Sequence, residues 1–451
     1  MKTIFITAFT NFVVRNILST DFLRILKGQQ DIRLVILAPI ESRGYLEDHF
    51  GAPNVVIEGV PVLGPSKLKT LIGYFSRALL NTYTAKLFLR LRLTKSGYFF
   101  NRLLGLTLGR LRVMRTLLRL LDYKLLTKKR FAKYFNHYQP ALIFSTDITD
   151  RSAGESDIDL IREAKQRGVF VVGMVRSWDN LTTRGIIREA SDIIVVHNET
   201  IKEECFEYHG IPKTRISVVG IPHYDNYGRV KPTPREKFFH SLGLDPKKKT
   251  VLFVAIADMF LKKQLKSSKP TFNKYMLEVL RELDPARFQI LVRFPLIGNA
   301  VDLKDFTPPA NMIFDYPGKL FDKGELGPAS DGHLIDSLYH SDVVVPGPST
   351  IALDAMFFGK PVIIIAFDKE KNLPRDVSMK KFLPIEHLRP LTDLGGARIT
   401  WDAKDFLRQL KDYFDNPDLD EDGRRRVVNA MCYKTDGNAS KRLAQIVLAN
   451  I

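Results

Sequence analysis

The segment SDVVVPGPSTIALDAMFFGKPVIII, Ser341 to Ile365, has the residue types and spacing for holding a phosphorylated ligand. A short apolar run, Asp342–Val345, reads as a buried strand and ends in Pro346-Gly347-Pro348. Ser349 or Thr350 then caps a helix. A helix start after a glycine-bearing turn presents free N–H groups and partial positive charge, which suit a phosphate. Asp354 lies about one turn further on, and a carboxylate there accepts hydrogen bonds from ribose hydroxyls. An ordinary strand, turn and helix with a capping serine is the plainer alternative.

A second stretch, RSWDNLTTRG from Arg176 to Gly185, follows the apolar run Val169–Val175. It therefore falls at a strand's C-terminal end, where open α/β sheets bind ligands. Arg176, Trp178 and Asn180 are candidate substrate contacts, and Asp179 is a candidate proton acceptor; a capping Asp-Asn pair beside a packed Trp is the alternative. Arg15 and Asn16 stand between the first strand and a predicted helix Ile17–Lys27, where an arginine meets an anionic acceptor or donor phosphate. Arg293 ends the predicted strand Gln289–Phe294, and Lys262 and Lys263 follow Val251–Ala257. Positive charge there serves a diphosphate leaving group.

A transferase that inverts its donor needs a base within reach of the acceptor hydroxyl. Asp147 and Asp150 in FSTDITDR, Asp179, and His197 at the end of Asp192–Val196 are the candidates, with Asp179 preferred. The tripeptide Asp157-Ile158-Asp159 has a metal-binding form but opens a predicted helix, so it reads as first-turn acids. The histidines and the two cysteines show no ligand spacing, so no metal site and no disulfide framework is expected.

Together these segments resemble the GT-B glycosyltransferases. The small-residue loop, the acid, and the Gly359-Lys360-Pro361-Val362 return are similar to that superfamily's nucleotide-binding motif, with Asp354 where most members carry Glu. Ser177-Trp178-Asp179-Asn180 followed by Val218-Val219-Gly220-Ile221-Pro222-His223-Tyr224-Asp225 resembles bacterial surface and capsular polysaccharide transferases related to the CDP-glycerol glycerophosphotransferase group. Such relatives often read Arg-x-His-Pro where this chain has Arg293-Phe294-Pro295. The resemblance implies a metal-independent transferase with no cofactor. Its donor would be a UDP-, GDP- or CMP-linked sugar, held by Gly347, Ser349, Thr350, Asp354, Arg293 and Lys263. Its acceptor would be a lipid-linked or cell-surface glycan. The alternatives are a CDP-polyol phosphotransferase, a sugar-nucleotide 2-epimerase and a nucleic-acid-binding protein.

The elements that must position these residues follow from the hydrophobic pattern. Lys2–Phe9, Ile32–Ala38, Ala141–Ser145, Val169–Val175, Asp192–Val196 and Ile216–Val219 are short apolar runs separated by helical stretches such as Asp157–Arg167 and Glu199–Tyr208. Buried strands alternating with helices specify a parallel α/β sheet. After the polar stretch Lys231–Lys249 the pattern restarts with Val251–Ala257, Gln289–Phe294, Asn311–Phe314, Asp342–Val345 and Pro361–Phe367. The expected architecture is therefore two Rossmann-like domains facing a cleft, residues 1–222 for the acceptor and 223–425 for the donor. A final helix, Gly423 to Ile451, would return to the first domain over 426–451.

The 451 residues carry 68 Lys and Arg against 50 Asp and Glu, a net charge of +18 that calls for an anionic partner. The excess is concentrated: residues 62–135 hold 17 Lys and Arg and one acid, Asp122. Within them, LLGLTLGRLRVMRTLLRLLDYKLL interleaves Arg110, Arg112, Arg115 and Arg119 with leucines at helical spacing, as in a basic amphipathic helix. Two or three helices are expected, forming an insertion that docks on an anionic membrane. RNA, single-stranded DNA, the rest of the protein and a second copy are the other partners such a segment fits. No run of about 18 apolar residues is present, and the cysteine count suits a reducing compartment, so a peripheral place on the cytoplasmic membrane face is expected.

Overall fold

The computed structural model describes the chain except residues 65, 127–128, 150–154, 267–270, 296–298 and 318–327, and the side chains of residues 95, 110, 263 and 328–330. The chain forms two compact units, Met1–Arg229 with Cys432–Ile451, and Val230–Met431.

The first unit is built on a seven-stranded parallel sheet of β1 (Lys2–Thr7), β2 (Ile32–Pro39), β3 (Val55–Val60), β4 (Leu142–Ser145), β5 (Phe170–Met174), β6 (Ile193–Val196) and β7 (Ile216–Val218). The order is β3-β2-β1-β4-β5-β6-β7, so the winding reverses between β1 and β4. Helices cover both faces, which is why Ile4, Phe5, Ile6, Val35 and Ile36 are fully buried and the strands are apolar throughout. The second unit holds six parallel strands: β8 (Lys249–Val254), β9 (Phe288–Arg293), β10 (Met312–Asp315), β11 (Val343–Val345), β12 (Val362–Ile365) and β13 (Ala397–Thr400). Their order, β10-β9-β8-β11-β12-β13, reverses between β8 and β11.

Strands β3 and β13 have no counterpart among the predicted runs. Both lie at sheet edges, and Glu58 and Gly59 interrupt the apolar run of β3. The predicted final helix is two helices, Glu421–Cys432 and Ala439–Ala449. Tyr433 (φ 64°) and Gly437 (φ 68°) adopt left-handed backbone between them. The second of these helices joins the first unit, where Leu443, Ala444 and Val447 pack into the core around β1 and β2. Asp225 holds its start by accepting from the amides of Ala439 (3.1 Å) and Ser440 (2.7 Å).

The basic segment also departs from expectation. It contains four helices before residue 127: α1 (Lys67–Ala78), α2 (Tyr83–Arg92), α3 (Lys95–Thr107) and α4 (Arg112–Leu126). Ser66, Thr82 and Thr94 cap the first three by accepting from backbone N–H groups. The leucine-rich run is broken at a 3-10 turn, Leu108–Arg110, where Gly109 backs onto Leu79. Ile72, Leu79, Leu80, Leu118 and Leu126 form a core of their own together with Ile186.

Many of the basic side chains point inward. Arg119 donates to the carbonyls of Ile187 (2.9 Å) and His209 (2.5 Å), and Arg115 to that of Glu207 (3.0 Å). The lone acid of the segment, Asp122, is fully buried and accepts from Arg162 (2.6 Å) and from two nitrogens of Arg188 (2.8 and 2.9 Å). Both arginines are buried, and Glu155, Glu189 and Asp159 take up their remaining donors. Lys69 joins through Asp159 at 2.7 Å. A buried ionic network thus ties α4 to the helix Ser156–Gln166 and to the segment around Arg188.

Candidate functional site

In the first unit, the strand ends around the reversal between β1 and β4 are braced by polar contacts. Thr7 and Ser145 donate to Asp157 (2.6 and 2.7 Å), and the amide of Thr146 donates to Thr7 Oγ1 (2.9 Å). Asp157 and Asp159, the acids of the metal-like tripeptide, are therefore occupied by hydroxyls and by basic side chains. Arg15 and Asn16 follow β1 in a single π-helical turn, Val14–Leu18, rather than at the start of a continuous helix. Such turns bulge the backbone and recur where a side chain is aimed at a ligand. Arg15 donates to Asn16 Oδ1 at 2.9 Å and lies 6.0 Å from the Phe12 ring, while Arg176 lies 5.2 Å from the same ring.

The residues after β5 divide sharply by exposure. Trp178 is 5% exposed and Asn180 fully buried, so tertiary packing holds both in the wall of this region rather than at its surface. Asn180 Nδ2 approaches Asp147 at 3.4 Å. Arg176 is buried and donates to Asp147 at 2.9 Å, and Arg184 approaches the same carboxylate at 3.4 Å. Asp147 is 1% exposed and also accepts from Thr149. Its oxygens are committed, which removes it as a proton acceptor for an acceptor hydroxyl. Asp179 remains half-buried, with Ser177 Oγ donating to it and the Thr182 and Thr183 hydroxyls donating to its backbone carbonyl. Asp150 lies outside the described residues.

Two histidines complete this end of the unit. His197, after β6, is held to about 4 by burial and then by the Arg176 charge, which Asp179 partly offsets. Burial, and then Arg15, His197 and Arg176, hold His223 well below the ordinary histidine value. Both imidazoles are neutral at pH 7. His223 was not singled out from sequence; its signal was its place just after Pro222, beyond the last strand.

In the second unit, Gly347 follows β11 and lies so close to β8's exit that a Cβ would stand 2.7 Å from Ile256. Ser349 Oγ accepts from the amide of Ile351 at 3.4 Å, and Thr350 makes no side-chain cap. The helix they open, α5 (Ile351–Phe357), has only seven residues, and Asp354 in its first turn is 8% exposed. Arg293 donates to Asp315 at 2.8 Å and approaches Ser337 at 3.4 Å. His333 Nε2 is 3.0 Å from both oxygens of Asp315. An imidazole thus reaches the ends of β9 and β10 from the helix Pro328–His340, although β9 itself continues Arg293-Phe294-Pro295. The contact of His333 with Asp315 is made across elements, so its place beside Arg293 is not legible from the local pattern. Lys262 is exposed, and the Lys263 side chain lies outside the described residues.

A cleft of about 730 Å³ opens at the ends of β12 and β13. Asp368, Lys369, Arg375, Lys380 and Trp401 are among its lining residues. Trp401 is 54% exposed, and burial raises the Asp368 carboxyl although Ser378 donates to it. Four cations, Lys369, Lys371, Arg375 and Lys380, line the cleft with three carboxylates, and the open indole offers a stacking face to a planar base. A narrower apolar pocket lined by Gly347, Ser349, Phe382 and Leu391 lies in the same unit.

Comparison with solved structures places this architecture among known enzymes. The UDP-N-acetylglucosamine 2-epimerase from Neisseria meningitidis, bound to UDP-GlcNAc, aligns at a TM-score of 0.56 with 12% identity over 100% of both chains. A putative epimerase of the same kind from Listeria monocytogenes gives 0.57 with 12% identity, over 100% of this chain and 96% of that one. A glycosyltransferase from Rickettsia africae gives 0.51 with 11% identity, over 100% and 99%. At such identities the likeness shows the fold, which is GT-B. No curated protein matches in sequence. The family model for CDP-glycerol:poly(glycerophosphate) glycerophosphotransferase matches residues 182–449, beginning inside the stretch after β5 and excluding the basic helices. More than half of the chain lies within that match, and it spans both the polar linker after β7 and the glycine turn after β11. The protein is a member of the CDP-glycerol:poly(glycerophosphate) glycerophosphotransferase family.

Proposed function

We propose that this protein transfers a glycosyl group from a nucleotide sugar to a lipid-linked or cell-surface glycan acceptor at the cytoplasmic face of the membrane, without a metal ion. The observation that carries the reading is Asp179. It is the carboxylate of the stretch after β5 that stays accessible, while Asp147 is sealed under Arg176 and Arg184. Asp179 takes the proton from the acceptor hydroxyl as that oxygen attacks the donor's anomeric carbon and the nucleotide diphosphate leaves. Asp147 is a positioning residue that sets Arg176. Neutral His197 and His223 leave the positive charge of this cluster on arginines, Arg15 and Arg176 among them. In the second unit, Asp354 and the Gly347–Thr350 turn hold the ribose and phosphates, and Arg293 with His333 balances the charge that grows on the leaving group.

The family match favours a second reading, transfer of a polyol phosphate from a CDP-polyol. The two differ in what leaves and in what the product gains. Glycosyl transfer from a UDP- or GDP-sugar releases the diphosphate and adds no phosphorus; polyol-phosphate transfer releases CMP and adds one phosphate per step. Thermal stabilisation by UDP, GDP, CMP and CDP identifies the donor class, since a ligand at about 100 times its Kd adds about 2.7 kcal/mol. Phosphorus analysis of the product then decides the chemistry. A shift with UDP, GDP or CMP and a phosphorus-free product supports the first reading. A response to cytidine nucleotides alone with phosphorus incorporated supports the second, and no shift with any nucleotide overturns both.

A further inference from the structure

The basic helices expose an apolar surface that their internal packing leaves uncovered. On α4, Val113, Leu117, Leu120, Leu121 and Leu125 are each 44–55% exposed and recur at helical spacing. The opposite side of the same helix carries the buried Leu118, Asp122 and Leu126. On α3, Phe99 is 70% exposed, with Phe100, Leu103 and Leu106 beside it along one face. Gly105 on the other face meets α1 so closely that a Cβ would stand 2.8 Å from the Ala78 carbonyl. The exposed charge in these helices is of one sign: Arg92, Arg102, Arg112 and Lys124 are exposed, and the segment's single acid is buried. None of the described helices is long and apolar enough to cross a membrane.

We propose that the outer faces of α3 and α4 seat the protein on an anionic bilayer, with leucine and phenylalanine side chains in the headgroup boundary and the basic side chains on lipid phosphates. This deepens the reading of a membrane-face transferase and rests on it for its purpose. Charge complementarity selects the occupant. Two copies of this face would bring like charges together. On α4 a nucleic acid would meet leucines where it needs stacking rings. A bilayer surface satisfies both the apolar and the cationic parts. The buried contacts of Asp122 with Arg162 and Arg188 determine which side of α4 faces outward.

The test is co-sedimentation of the full chain with vesicles of phosphatidylglycerol and phosphatidylcholine at about 0.15 M salt, against vesicles of phosphatidylcholine alone. Binding to the anionic vesicles is expected, with a part that survives high salt. The double substitution Leu117→Gln, Leu121→Gln should lower the bound fraction at least about tenfold. Arg112→Glu with Lys124→Glu should lower it about tenfold and remove the salt-sensitive part. In a separate chain, Leu121→Trp fluorescence should be quenched by brominated lipid, which reads insertion directly. Absence of vesicle binding, or binding indifferent to the leucine changes, overturns the proposal. So does a concentration-dependent dimer that those changes dissolve, or steeply salt-sensitive RNA binding without vesicle binding. Nucleotide shifts are measured on the same samples without lipid. Vesicle binding with no nucleotide shift keeps the membrane proposal and overturns the transferase reading, and a nucleotide shift without vesicle binding does the reverse.

Discussion

The two parallel sheets share a winding pattern and differ in what stands at their strand ends. In the first unit the ends carry a committed carboxylate, an accessible one, two arginines and two neutral histidines. In the second they carry a glycine turn, a buried Arg–Asp–His cluster and an open cleft with cations around Trp401. Similar scaffolds therefore hold different chemistry, because the loops after the strands, and not the strands, choose the side chains. On the proposed reading the first set moves a proton and the second holds a nucleotide.

The widest break in that division is expected at Asp179. Asp179→Asn should cut turnover by about 10²- to 10⁴-fold while leaving the nucleotide-induced thermal shift intact. Loss of the shift as well would show that the two sets of residues do not divide the work. Next in size, Asp122→Ala leaves Arg162 and Arg188 buried without their shared carboxylate and should cost about 3–5 kcal/mol in chemical denaturation. A cost under about 1 kcal/mol would mean that the ionic network does not hold α4.

The same comparison predicts that acid weakens the first unit. Unfolded histidines take up protons below about pH 6.5. Folded His197 resists until about 4, and the buried His209 until about 3. Stability is therefore full above about pH 6.5 and falls as pH drops toward 4, by about 1 kcal/mol per pH unit for each such histidine. His197→Gln should flatten that slope by one histidine's share, as read from denaturation midpoints between pH 7 and 5. The smallest effect is expected at the cleft of the second unit. Trp401→Ala should weaken nucleotide binding about tenfold, in line with about 1–3 kcal/mol for a stacked base, with turnover at saturating donor unchanged. An unaltered nucleotide affinity would move the base to the narrower pocket beside Gly347.

Most of the sheet architecture was legible because strands buried on both faces must be apolar along their length, and the runs from Ile32 and Val251 show it. Edge strands β3 and β13 escaped because a half-exposed strand tolerates Glu58 or Arg398. The turn at Asp436-Gly437-Asn438 was passed over within a helical pattern, and only the cap from Asp225 makes clear that a new helix begins there. Site residues were legible as positions and not as roles. Trp178, Asp179 and Asn180 are consecutive, yet two are interior and one reaches outward.

From sequence alone came the apolar periods of the sheets, the glycine turn before Asp354 and the concentration of positive charge in one segment. These depend on neighbours along the chain and on composition. Only the tertiary structure decided which charges face inward, that Asp147 is sealed while Asp179 is not, and that His333 joins Arg293 through Asp315. Burial and pairing are set by residues far apart in sequence, and a buried charge is stable only where a distant partner meets it.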